Sequence, residues 1–358
     1  MQKRIILMIL LLFIVALLYF VLRSYTPAIN DNQGKILPNS IASIEQVEIN
    51  DTRQWIVMRG ENKDNPILLW LDGGPGGTEI GFTRYYLSGL EKSFVFVNWD
   101  QRGTGKSFNA VKDKRDLKVE DYVTDIIQLT EYLQARFRQD KIYLVGHSWG
   151  SIIGLMAIER RPDLFYAYVG TGQQVNADEN DIISYHVIME NARKAGDRKT
   201  VERLTKIGPP PYQGGERTGI TIRGIKMSPY VYLFSKLFNY ADTGNYNSMA
   251  MFGATEQSII DKINMIRGLV YGIDLVYPQL VGINFEKDIP KVDVPVYFLT
   301  GRKDYTTSGD IAYRYYEKLE APIKKFYWFE NEGHNNCFED NRKFMDILTK
   351  EILPETRL

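Results

Sequence analysis

Ser148 stands inside Gly146-His147-Ser148-Trp149-Gly150, a G-x-S-x-G pentad. The apolar run KIYLV precedes it and the helix-like SIIGLMAIERR follows. Strand, sharp turn and helix is the setting in which this pentad presents a serine hydroxyl as a nucleophile. The glycines suit a turn too tight for side chains. A helix starting behind the serine aims positive potential at an oxyanion developing beside it. A hydroxyl is a weak nucleophile, so it needs a base, and the base needs a carboxylate to orient it. On a sheet of this kind the three follow in the order nucleophile, acid, base. His334, in FENEGHNNC after the run KKFYWFE, is the candidate base. Asp304, just past the end of VPVYFLTG, is the candidate acid. The rivals are weaker. His186 falls in a helical region, Asp310 starts a helix and suits its dipole, and Glu332 lies too near His334 in sequence. Two backbone N–H donors would complete such a site. One is Trp149, next after the serine. The other is Gly74, in the DGGPGG loop of Asp72 to Gly77, where four glycines let the backbone approach a substrate.

The elements that must position these residues are legible as apolar runs. Strands are expected at 53–60, 66–74, 94–100, 141–148, 165–172, 294–301 and 324–330. Their continuous Val, Ile and Leu content suits strands buried on both faces of a parallel sheet. Helical spacing of apolar residues predicts a helix over 119–137, and further helices are expected at 308–319 and near 339–352. Strand-helix alternation means an α/β class with right-handed crossovers. The alternation stops between about 173 and 286, so the expected architecture is a mostly parallel sheet with helices on both faces and a largely helical inserted cap. The resulting division is 41–172 and 287–358 for the two parts of the core, with 173–286 as the cap over the sheet edge where such sheets bind ligands.

One stretch invites a different chemistry. NWDQRGTGKS, Asn98 to Ser107, ends as a nucleotide-binding P-loop ends. That pattern requires glycine five residues before Gly105, and the chain has Asp100. A dinucleotide pattern starting at Gly103 fails at Phe108. No nucleotide is expected. Charge is balanced at 44 basic and 44 acidic residues, so no net field favours nucleic acid. A single cysteine, Cys337, excludes a disulfide framework, and three histidines leave little material for a metal site. No cofactor and no metal are expected. The partner implied is a small molecule or a short peptide.

Ile5 to Leu22 reads IILMILLLFIVALLYFVL, eighteen residues without a charge. As a helix this run would be about 27 Å long, the thickness of a bilayer's hydrocarbon. It is longer than a signal-peptide core and lacks an Ala-x-Ala cleavage site. Residues 1–23 are therefore expected to be a transmembrane signal-anchor, with 24–40, rich in Pro, Asn and Ser, as a linker. Lys3 and Arg4 put the N-terminus in the cytoplasm and the catalytic part outside the cell membrane.

Taken together, the motifs resemble the proline iminopeptidase family of α/β-hydrolase serine peptidases. The family's H-G-G-P-G loop is matched by Asp72-Gly73-Gly74-Pro75-Gly76, with Asp72 in place of His. Its N-x-D-Q-R-G-x-G-x-S segment is matched by Asn98, Asp100, Gln101, Arg102, Gly103, Gly105 and Ser107. GHSWG matches throughout, and GRKDY and EGH are similar. The resemblance spans about 40–172 and 286–352 and is weak in the cap. It implies an α/β-hydrolase fold, an acyl-enzyme on Ser148 and release of N-terminal residues. It also implies cap carboxylates that bind the substrate's amine. Glu216 and Glu256 are candidates, though each reads more readily as a solvated surface carboxylate. The same three catalytic residues would serve a carboxylesterase or lipase-like enzyme, and a non-catalytic binding module of this fold is the remaining alternative.

Overall fold

A computed structural model describes residues 21–212, 228–241 and 244–357, together with 8, 10, 221–222 and 225–226. Ile41–Ile49 (β1) and Thr52–Gly60 (β2) form an antiparallel hairpin. Asn50 and Asp51 sit between them with φ of 45° and 57°, the left-handed pair a two-residue turn requires. Ile67–Leu71 (β3), Val95–Asp100 (β4), Ile142–His147 (β5) and Phe165–Thr171 (β6) follow. The two-residue strands Thr221–Ile222 (β7) and Ile225–Lys226 (β8) pair only with each other. Val296–Gly301 (β9) and Lys324–Phe329 (β10) complete the main sheet. Its order is β1-β2-β4-β3-β5-β6-β9-β10, parallel from β4 onward. These bounds agree with the seven predicted strands. β1 was not expected: IASIEQVEI alternates polar and apolar because it lies at the sheet edge.

The helices lie in chain order as Ile80–Tyr86 (α1), Val119–Phe137 (α2), Trp149–Arg160 (α3), Ala177–Lys194 (α4), Arg198–Ile207 (α5), Pro229–Tyr240 (α6), Ile259–Tyr271 (α7), Gly309–Lys318 (α8) and Asn341–Asp346 (α9). Val123, Ile126, Thr130 and Leu133 of α2, at the helical spacing its sequence shows, are fully buried, and Ile127 beside them is half-buried. The expected terminal helix near 339–352 is present and begins at Asn341. Asp340 accepts a hydrogen bond from Lys343 N at 3.1 Å and so caps this helix, α9, which runs on as a π-helical turn over Ile347–Ile352.

Between β6 and β9 the chain is helical from α4 to α7, with the β7–β8 hairpin between α5 and α6. This is the cap. An isolated antiparallel bridge, Asn176 with Asn284, joins its two ends. After β3 the chain adds β4 on one side, and from β5 onward it builds outward on the other. The sheet therefore reverses direction between β3 and β5, the place where such sheets form a crevice. The fold is that of an α/β-hydrolase with a helical cap.

Among the described residues no helix is long and apolar enough to cross a membrane. The run Ile5–Leu22 lies almost wholly outside the described residues.

One buried ion pair ties the β1–β2 hairpin, α2 and the turn after β4 together. Arg102 donates from Nε and Nη2 to the Asp125 carboxylate at 2.6 and 2.5 Å. Asp125 also accepts from Asn50 and Gln54 side chains, each at 2.7 Å. Replacing Asp125 by alanine leaves a buried guanidinium short of its main partner. The expected loss is about 3–5 kcal/mol of stability, read by urea unfolding.

Candidate active site

Ser148 occupies the turn between β5 and α3 with φ 54° and ψ −118°, a conformation L-residues rarely adopt. Its neighbours explain why it can be held there. A Cβ on Gly146 would stand 2.4 Å from Gly150 O, and one on Gly150 would stand 2.2 Å from Leu71 O. Only glycine at both positions lets α3 close onto β3 and β5. Ser148 N donates to Thr171 O of β6 at 3.0 Å, which fixes the turn from the far side.

The structure brings Ser148, His334 and Asp304 together from three separate loops. His334 Nε2 lies 2.9 Å from Ser148 Oγ, and its Nδ1 lies 3.0 Å from Asp304 Oδ2. A carboxylate at Nδ1 favours the hydrogen there, which leaves the Nε2 lone pair directed at the Ser148 hydroxyl. Asp304 is 3% exposed and is itself held: Thr306 N and Thr307 N donate to Oδ1, and the Thr307 hydroxyl donates to Oδ2. The rival residues fall elsewhere. His186 is exposed on α4, Asp310 lies in the first turn of α8, and Glu332 accepts from Asn331 N.

Gly74 and Trp149 line the same cavity as Ser148. The Trp149 N–H, first of α3, has no carbonyl one turn before it to accept it. Gly74 has φ 139°, a backbone form open to glycine. The stretch that imitates a P-loop knits these two segments together. Gln101 accepts from Trp149 Nε1 at 3.0 Å and donates to Asp72 O at 3.3 Å. Asp100 accepts from Lys106 N at 2.7 Å, closing the Asp-Gln-Arg-Gly turn on itself. His147 is held at both ring nitrogens. Nδ1 lies 2.6 Å from Glu79 Oε1, and Nε2 lies 3.3 Å from the carbonyl oxygen of His334. The residue before the serine thus props the backbone of His334.

Asp72, where the resembled family has histidine, is buried with Oδ1 unpartnered among the described residues. Burial pushes its carboxyl well above the usual range, and Glu79 and Asp100 beside it push the same way. Burial likewise raises Asp100 to about 6.

The cap side of the cavity is formed by Gln174, Asp181, Leu233, Phe234, Leu237 and Tyr277. Asp181, on α4, is the polar residue the sequence reading did not single out. It lies in a run with Asp178 and Glu179, and helical spacing alone does not say which of the three faces the sheet. It is 4% exposed, and the Tyr277 hydroxyl donates to it at 2.7 Å. Burial pushes it up to about 7, the Tyr277 and Tyr230 hydroxyls pull it partly back, and Asp178 raises it. Glu216 lies outside the described residues. Glu256 is neither solvated nor in the cavity: it is 1% exposed and pairs with Arg84 Nε at 3.0 Å. Among the described residues no group of three His, Cys, Asp or Glu side chains could hold a metal ion.

Comparison with known proteins agrees with this fold. The family described as serine aminopeptidase, S33, matches residues 90–205. The "Probable aminopeptidase YbaC" of Bacillus subtilis is 32% identical over 328 residues, covering 87% of this chain and 96% of that protein. Among solved structures, the proline iminopeptidase of Mycobacterium smegmatis has a TM-score of 0.63 at 15% identity, over 88% of this chain and 99% of that one. An esterase from Exiguobacterium antarcticum has a TM-score of 0.56 at 14% identity, over 87% and 99%. At these identities the two structures establish the shared fold alone.

The Gln101 bridge can be tested at the serine itself. Gln101→Ala removes the tie between Trp149 and the loop after β3. It should slow labelling of Ser148 by a fluorophosphonate about 10-fold, a loss of roughly 1.4 kcal/mol. Labelling rates at fixed probe concentration measure this.

Proposed function

We propose that this chain, which belongs to the proline iminopeptidase-like family of α/β-hydrolase serine peptidases, releases N-terminal residues from short peptides through an acyl-enzyme on Ser148. Ser148 gives its proton to His334 Nε2 as Oγ attacks the scissile carbonyl carbon, and Asp304 holds the imidazolium that forms. The tetrahedral oxyanion accepts hydrogen bonds from the Gly74 and Trp149 N–H groups. His334 then passes the proton to the leaving amine, and the shortened peptide departs. Water, deprotonated by His334, attacks the acyl carbon, and the proton returns to Ser148. The run Ile5–Leu22 tethers the enzyme to the cell membrane, with its catalytic part outside the cytoplasm.

The observation that carries the peptidase reading is Asp181. It is a buried carboxylate in the Ser148 cavity whose bonded neighbours are tyrosine hydroxyls. A substrate ammonium there would gain a charge partner already stripped of water. The apolar side of the same cavity, Leu233, Phe234 and Leu237, favours a second reading, a carboxylesterase holding an acyl chain. Rates on prolyl and other aminoacyl amides, compared with a short-chain aryl ester, separate the two, with Ser148→Ala as the inactive control. Turnover of the ester alone overturns the peptidase reading. Folded protein that no fluorophosphonate labels at Ser148 overturns both and leaves a binding module.

Asp181 gives this reading a pH signature. Its value near 7 means that protonation removes the charge as pH falls through about 7. KM for an aminoacyl amide should therefore rise below pH 7, while KM for an ester without an amine stays flat. At pH 8, Asp181→Asn should raise the amide KM about 30-fold, the order of a lost buried charge pair. A raised folded value also means that ionised Asp181 costs stability above pH 7. The Asn variant should thus unfold no more readily than the parent at pH 8, which separates binding from misfolding.

A further inference from the structure

α7 has one face in use and one without a partner in the described structure. Asn264, Met265 and Gly268 are buried. Gly268 O stands 2.2 Å from where a Gly76 Cβ would lie, so the helix rests directly on the DGGPGG loop. Opposite, Ile259, Ile260, Ile263, Ile266 and Val270 are all between 38% and 52% exposed, while Tyr271 at the helix end sets its ring 6.3 Å from that of Phe108. Positions 259, 263, 266 and 270 recur at i, i+4, i+7 and i+11, one stripe along the helix. Single exposed apolar residues are ordinary, but a stripe of branched ones marks a contact surface. Helical spacing sets Lys262 on one flank of the stripe and Arg267 on the other, the arrangement of a helix lying in a membrane interface.

The start of the described chain indicates what covers this face. Lys106 Nζ donates both to Ser24 Oγ at 2.7 Å and to Asp261 Oδ2, in the first turn of α7, at 3.0 Å. Tyr25 N donates to Thr255 O at 2.9 Å, and the Thr26 hydroxyl donates to Glu256 Oε1 at 2.9 Å. The residues that immediately follow the apolar run Ile5–Leu22 are thus pinned to the N-terminal end of α7. Tyr25 is itself 43% exposed, with the Arg23 guanidinium 4.4 Å over its ring, and Tyr and Arg are the residues that settle at headgroup depth.

We propose that the exposed stripe of α7 lies in the headgroup–acyl boundary of the bilayer to which the N-terminal run anchors the chain. Lys262, Arg267 and Arg23 face anionic headgroups. The proposal rests on reading Ile5–Leu22 as a membrane anchor. It makes α7 a second, in-plane membrane contact and sets the membrane against the helix that backs the loop beside Ser148.

The full chain in vesicles of phosphatidylcholine and phosphatidylglycerol tests this. The native Cys337 is buried, so Ile263→Cys and Ile266→Cys, made separately, take an environment-sensitive dye selectively. A dye at either position should shift to the blue, and lipid carrying a headgroup-depth spin label should quench it about twofold. A dye on Lys199→Cys, exposed on α5, should show neither effect. Chain that floats with the vesicles but leaves both α7 dyes unquenched overturns the docking and keeps the anchor. Dyes that shift without lipid quenching, with cross-links between chains, overturn it in favour of a second copy. Chain that does not float overturns anchor and docking together.

Discussion

The site depends on one backbone constraint, the left-handed Ser148 between β5 and α3. A non-glycine residue in such a region costs on the order of 1–3 kcal/mol, and the surrounding contacts must hold it. They do so by close approach. Gly150 meets the Leu71 carbonyl, Gly146 meets Gly150, and Ser148 N is bonded to β6. The same approach brings the first turn of α3 beside the loop after β3, at the point where the sheet reverses direction. Serine, loop and helix end are therefore one packed unit, and the hydroxyl's position follows from main-chain contacts.

A layer of polar side chains then sets the distances among the loops. Gln101 spans the Trp149 indole and the Asp72 carbonyl, and Glu79 and His147 reach the backbone of His334. Thr307 bonds Asp304 while lying 3.1 Å from His334 Nδ1. Their work is to keep flexible loops in register, which buried and mutually satisfied hydrogen bonds do well.

Much of this was legible in the sequence. G-x-S-x-G between an apolar run and a helical pattern named Ser148, and the ends of two late strands named Asp304 and His334. Helix 119–137 was readable because its apolar spacing is unbroken. β1 escaped because an edge strand alternates polar and apolar residues, a weaker signal than a buried run. Asp181 was hidden for a different reason: three acidic residues crowd one helical turn, and only the packing of the cap over the sheet selects among them. Lys106 and Ser107, which imitate a phosphate loop, serve contacts more than fifty residues away, to Asp261 and to Trp55 N.

The bridge between Asn176 and Asn284 has a consequence for how such proteins diversify. With Phe285 N bonded to Val175 O at 3.0 Å, the whole cap leaves and rejoins the core through a single closed neck. The pairing of β6 with β9 then needs only the neck to form, whatever lies beyond it, and the entropy of closing a loop grows slowly with its length. A lineage could lengthen, shorten or replace the roof over Ser148 in one event while the sheet beneath kept its register. On this geometry, substrate range would drift far faster than chemistry.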